Sequence, residues 1–225
     1  CAAALDPDGA IAAFERALTL DASIAGVKDC LGPLRFERGK RLADEGHAEK
    51  AALDLARAAE LLPGDPEPSL ALGRARARLG QRKEAIDAAK QAVSRREDHV
   101  AAWVFLGELQ AELGMAEPAA AAFSSALRFD RGLFAAQIGL GLACAKLGRV
   151  RDAEEALRRA ALGAPDPTEA CRVNTALAEL LAPLGRPAEA IAAWRMVAGA
   201  RPLTPKEHRA VGQLHAAVGE MAEAA

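Results

Sequence analysis

Residues 103–126 read WVFLGELQAELGMAEPAAAAFSSA, and the small residues in this stretch recur at fixed places through the chain. Gly114 belongs to the series Gly46, Gly80, Gly114, Gly148, Gly185 and Gly219, with steps of 34, 34, 34, 37 and 34. Ala119 has counterparts five residues after each glycine: Ala51, Ala85, Ala153, Ala190 and Ala224. Gly107, seven before, has Gly39, Gly73, Gly141, Ala178 and Gly212. Ala126, twelve after, has Ala58, Ala92, Ala160 and Val197. Four series with one period define an internal repeat, which an alanine-rich composition does not produce by itself.

Each series has a physical reason. The Gly46 series closes a helix in the left-handed conformation that glycine adopts without strain. The Gly39 series falls inside a helix, where glycine costs about 1 kcal/mol relative to alanine. Its recurrence implies a backbone that must approach its neighbour closely. The Ala51 series makes the same small-residue contact from a second helix. Phe123, Ala126 and Leu127 follow the i, i+3, i+4 spacing of an apolar helix face. Asp65-Pro66 and Asp166-Pro167 place a capping carboxylate before a first-turn proline. Thr204-Pro205-Lys206-Glu207 reads as a capping box. Pro63, Pro165 and Pro202 end preceding helices. The unit is helix–turn–helix, with two helices of roughly 14 residues per period.

In these residues the chain resembles the tetratricopeptide repeat (TPR) family. The match is fullest at Trp103-x-x-Leu106-Gly107-x-x-Gln110, followed by Ala119-x-x-x-Phe123 and Ala126. The family pattern has an aromatic where Gln110 stands and a proline where Arg131 stands. Other repeats carry Arg35, Ser69, Gln137, Asn174 and His208 in place of Trp103. The resemblance implies an all-α, right-handed superhelical solenoid whose first helices line a concave face, used as a binding scaffold for many partners.

The frame predicts five complete repeats at 32–65, 66–99, 100–133, 134–167 and 171–204, with an insert at 168–170. The insert is expected to add a turn at the start of the next helix. Residues 1–21 read as a partial repeat, mostly a second helix, in which Ala10, Phe14 and Ala17 take the places of Ala119, Phe123 and Ala126. Residues 22–31 are an inserted connector that lengthens the next helix or bends the chain. Residues 205–225 are a final partial repeat, in which Glu220 opens a second helix. These ends suggest an array cut from a longer protein. A chain that starts at Cys1 also fits a mature bacterial lipoprotein, anchored through that residue and resembling pilotin-like assembly factors.

Composition narrows function. The 225 residues carry 29 Lys+Arg and 31 Asp+Glu, a net charge of −2, with 51% hydrophobic and 4% aromatic residues. That near-neutral balance argues against a nucleic-acid partner, which would call for a basic face. No run of eighteen residues is free of charge, which excludes a membrane-spanning helix. Four scattered cysteines do not make a disulfide scaffold. The Ala, Arg and Leu content has the look of a bacterial, GC-rich coding bias. The compartment stays open between the cytoplasm and an anchored periplasmic site.

Chemistry is poorly represented. His47, His99, His208 and His215 lack neighbouring ligands in the sequence, so no metal is expected. Cys144 falls on a helix face turned to its partner helix and reads as a small buried hydrophobe. Gly139-Leu-Gly141 is the start of a dinucleotide fingerprint only in letters, because it lies inside a helix and follows no strand. Neither a catalytic group nor a cofactor is predicted.

A binding face is predicted instead. Register turns Phe36, Leu70, Val104 and Ile138 inward as an apolar stripe, continued by Thr175 and Arg209. Four residues on stand Lys40, Arg74, Glu108 and Leu142, then Glu179 and Gln213. A row of alanines follows, with Asp44, Arg78, Glu112 and Lys146 beside it. Arg74 with Arg78 makes a basic spot; Glu108 with Glu112 makes an acidic one. Such a groove suits an amphipathic helix or extended peptide with apolar anchors and charges of both signs. Asn is missing from the second series, which disfavours a clamp for a C-terminal carboxylate. The predicted function is a non-enzymatic protein–protein interaction scaffold. The alternatives are the Cys1-anchored lipoprotein and the docking arm of a larger enzyme.

Overall fold

The computed structural model describes residues 7–21, 24 and 26–223. Cys1, and with it the lipid-anchor expectation, lies outside the described residues, as does Ala224. Among the described residues are twelve α-helices and no strand. The chain divides into two compact units, Cys1–Leu109 and Gln110–Ala225.

The first unit holds α1 (Pro7–Leu20), α2 (Val27–Asp44), α3 (Ala48–Leu61), α4 (Glu67–Arg78), α5 (Arg82–Arg95) and most of α6 (Val100–Glu112). Antiparallel pairs α2–α3 and α4–α5 form hairpins; α3 packs on α4, and α1 on α2. Helix α2 is 18 residues long because it takes in Val27–Leu31, so half of the expected connector extends the helix. The hairpin turns close as the glycine series requires. Gly46 and Gly80 have φ of 85° and 76°. The following His47 and Gln81 N–H groups donate back to the carbonyls of Leu42 (2.8 Å) and Arg76 (2.9 Å). This six-to-one bond satisfies a carbonyl that the helix end would leave orphaned.

Inside the helices, glycine marks contact. A Cβ on Gly39 would stand 2.7 Å from Leu55 Cγ, and one on Gly73 would stand 3.2 Å from the Ala85 carbonyl. Leu55 is fully buried, in a core with Ala51, Leu72, Ala75 and Ala88. Burying a leucine contributes about 1.5–3 kcal/mol. Helix α1 is held by charge as well as by Ile11, 2% exposed. Asp54, 4% exposed, accepts from Arg35 (2.5 Å) and from Arg38 Nε (2.6 Å). Arg38 also donates to Asp8 on α1 (2.7 Å), and Arg35 pairs with Glu15.

The second unit holds the end of α6, then α7 (Ala116–Phe129), α8 (Phe134–Lys146), α9 (Val150–Leu162), α10 (Pro167–Leu181), α11 (Pro187–Ala200) and α12 (Pro205–Glu223). Helices α7 to α12 pack each on the next. Their core joins Ile138, Leu157, Val173, Leu177, Trp194 and Val197. Gly114 and Gly148 repeat the turn of the first unit, with Met115 and Arg149 N–H groups donating to Gln110 and Cys144, both at 2.9 Å. A Cβ on Gly141 would meet Leu157 Cγ at 2.6 Å and the Ala153 carbonyl at 3.3 Å, the contacts that Gly39 and Gly73 make sixteen and twelve residues ahead. Helix α10 has 15 residues and starts at Pro167, so residues 168–170 lie in its first turn. Asp166 caps it by accepting from the Glu169 N–H (2.9 Å). A short 3-10 turn, Ala182–Leu184, then leads to Gly185 at φ 68°.

One expectation fails at the far end. Gly219 was expected to close a helix, with a new one starting at Glu220. Helix α12 instead runs unbroken to Glu223, and Gly219 is not among the glycines with positive φ. Glycine permits the left-handed turn but does not impose it.

Candidate functional site

In the first unit, the first helices α2, α4 and the start of α6 carry most of the expected binding residues. Lys40 and Arg74 are exposed, and each lies over an aromatic ring. Lys40 Nζ is 5.1 Å from the Phe36 centroid, and the Arg74 guanidinium is 6.0 Å from that of Phe105. These are cation–π distances. Lys40 also meets Glu37 at 3.2 Å. Arg78 is exposed and donates to the Ala43 carbonyl (2.7 Å), linking α4 to the end of α2. Phe36 and Val104 are half-buried and Glu108 is exposed. Phe105 was not foreseen. Its signal was Gly73, whose missing Cβ leaves room for the ring: a Cβ there would lie 2.9 Å from Phe105 Cε1.

In the second unit, Glu112 is exposed and Leu142 is half-buried against the core. Two residues of the expected apolar stripe do not reach the surface. Leu70 and Ile138 are each 2% exposed. Ile138 belongs to the core that holds Leu157 and Val173. Helix register gives a side chain's direction but not how much a neighbouring hairpin covers it. The accessible character of these helices is therefore cationic and aromatic in the first unit, with Glu108 beside it.

Cys144 and His99 are occupied structurally. Cys144 is fully buried, and burial pushes its thiol above its ordinary value, away from the nucleophilic thiolate. Cys30 and Cys171 are free thiols, as Cys144 is. His99 Nδ1 accepts the Ala102 N–H (3.2 Å) at the start of α6, so its Nε2 carries the proton toward Glu67 (2.9 Å). His47, His208 and His215 are exposed. Among the described residues no three His, Cys, Asp or Glu side chains stand together as a metal site. Arg95 caps α3 from α5, donating to the carbonyls of Ala59 (2.7 Å), Asp65 (3.0 Å) and Leu62 (3.2 Å). Burial lowers its pKa from the ordinary arginine value.

The hairpins, their turn glycines and their small-residue contacts define a class. Residues 70–134 of this chain match the model of the tetratricopeptide repeat family. Its fold is that of TPR proteins of known structure. It is similar to YrrB, described as a TPR protein with an unusual peptide-binding site, at 16% identity and a TM-score of 0.70, over 88% of this chain and 97% of that one. It is similar to MamA from Desulfovibrio magneticus RS-1 at 21% identity and 0.68, over 75% and 94%. It also resembles TTC0263, a thermophilic TPR protein of Thermus thermophilus, at 25% identity and 0.53, over 83% and 98%. No curated protein matches the chain in sequence. Among the described residues no helix is long and apolar enough to cross a membrane.

Proposed function

We propose that this protein is a non-enzymatic interaction scaffold that holds a peptide or amphipathic helix of a partner protein on its first helices. The observation that carries this reading is the pair of cations, Lys40 and Arg74, held over Phe36 and Phe105 on successive first helices. Arginine and aromatic side chains are the residue types that most often supply binding energy at protein interfaces. The stems of Lys40 and Arg74 add apolar surface beside the rings. The bound segment is one with acidic residues spaced between apolar anchors. The resemblance in fold to YrrB, whose description names a peptide-binding site, supports the class of partner. The burial of Cys144 and Cys171 and the pairing of His99 with Glu67 favour a role without catalysis.

A peptide library displayed on phage tests this. Selection on the whole chain is expected to enrich acidic, apolar peptides, and Arg74→Glu with Arg78→Glu is expected to weaken them at least tenfold while leaving the helical circular dichroism intact. Enriched peptides that bind the folded double variant as well as the wild type would overturn the reading. Leu70 and Ile138 are unsuitable for this test, because a charge at either buried position would attack the fold itself.

A further inference from the structure

One position of the first helix differs in every hairpin: Arg35, Ser69, Trp103, Gln137 and Asn174. In the first unit, Trp103 Nε1 donates to the Glu97 carbonyl at 2.7 Å. In the second, Gln137 Nε2 donates to the Arg131 carbonyl at 2.7 Å. Both acceptors lie six residues upstream, so Gln137 makes the hydrogen bond of the tryptophan without the bulk of its ring. A cavity of about 850 Å³ lies there, lined by Gln137, Leu140 and Cys144 of α8, Ala120 and Leu127 of α7, and Ala156 of α9.

Two features of the cavity select a ligand. Gln137 is 7% exposed, and its Oε1 has no hydrogen-bond partner. Nε2 gives one of its two hydrogens to Arg131, and the atom left without a partner is the acceptor Oε1, so the site asks for a donor. Five of the seven charged side chains that line the cavity are tied in ion pairs, with Arg128 and Arg131 beside them. Arg149 is tied to Asp152 (2.8 Å) and to Glu117 (3.5 Å), and Arg159 to Glu155 (2.6 Å). A phosphate or carboxylate would have to compete with those pairs. A neutral ring would not, and guanidinium groups at the rim suit its π face. The volume lies within the range of about 300–1,000 Å³ found for small-ligand sites, which leaves space beside an indole for the backbone that carries it.

We propose that this cavity binds the indole of a tryptophan presented by a partner peptide, its ring N–H donating to Gln137 Oε1. The site stands on α7, α8 and α9 and is independent of the first-helix surface of the first unit. The test is a fluorine NMR titration of the whole chain with N-acetyl-5-fluorotryptophanamide. Saturable binding is expected, at least tenfold weaker for the probe methylated on the indole nitrogen. Gln137→Trp is expected to fill the cavity, raise the thermal midpoint and abolish binding. Gln137→Met, which keeps bulk but removes the acceptor, should bind at least fivefold more weakly. The proposal falls if the wild type shows no saturable binding, or if the methylated probe binds equally well. It also falls if folded Gln137→Trp binds the probe like the wild type; should that variant not fold, Gln137→Met and the methylated probe decide.

Discussion

Gly139 and Gly212 both stand inside helices, yet they carry opposite expectations. A Cβ on Gly139 would lie 2.5–2.7 Å from three carbons of the Phe123 ring, which is 2% exposed and has nowhere to move. A Cβ on Gly212 would meet nothing within 4 Å. Gly139→Ala is therefore expected to lose about 1–3 kcal/mol through overpacking. Gly212→Ala is expected to gain up to about 1 kcal/mol from helix propensity. Urea unfolding midpoints check both signs; a neutral Gly139→Ala would mean that α7 and α8 are not in contact there. At this scale the sequence was legible where a residue type has one physical use. The turn glycines and the close-contact glycines Gly39, Gly73 and Gly141 announce themselves by period alone. The burial of Leu70 and Ile138 did not, since their letters suit a groove and a core equally well. The cavity at Gln137 left a trace in the missing tryptophan, which a degenerate repeat also explains.

At the scale of elements, charged pairs fasten what apolar burial alone leaves weak. Helix α12 begins with a reciprocal cap: Thr204 Oγ1 accepts the Glu207 N–H (3.3 Å), and Glu207 accepts the Thr204 N–H (2.7 Å). Glu207 also accepts from Arg201 (2.7 Å). Chiefly through Arg201, and then through Thr204, its carboxyl is lowered from 4.5 to about 2. A carboxylate depressed in the folded state adds stability that is fully present above its ordinary pKa and fades as pH falls through the folded one. The thermal midpoint is therefore expected to drop between pH 4.5 and about 2, and Glu207→Gln should lose this part of the profile while being less stable than the wild type at neutral pH. Parallel profiles for the two proteins would contradict the assignment. Helix α1 depends on a different anchor. Ala88, Ala122 and Ala156 occupy the place that Asp54 takes in its own hairpin. Asp54→Ala restores the common residue but leaves the guanidinium groups of Arg35 and Arg38 with only the more exposed Glu15 and Asp8 as partners. The expected cost is about 3–5 kcal/mol for breaking a buried pair. Limited proteolysis should then cut first within Pro7–Leu20; an unchanged digestion pattern would remove the anchor from the account.

The repeat is the property of the whole molecule that the sequence carries most openly, because every hairpin must solve the same packing problem with the same small residues. What period cannot convey is where an irregularity goes. The insert at 168–170 and the connector at 22–31 could each have become loop, bend or helix. In the structure the insert lies in the first turn of α10, and Val27–Leu31 begins α2, which places each surplus at a helix start. Gly219 follows the period yet stays helical inside α12. Function is written more faintly than fold. Lys40 lies over Phe36 of its own repeat, but Arg74 lies over Phe105 of the next, and that second contact no single repeat displays.

Paired photo-crosslinking in cells examines the scaffold reading most directly. A photoreactive phenylalanine is placed in turn at Lys40 and Arg74 on α2 and α4, and at the exposed Arg57 and Lys90 on α3 and α5. The account predicts a common partner band from positions 40 and 74 that is weak or missing from 57 and 90. A partner captured from 57 and 90, with none from 40 and 74, would contradict it.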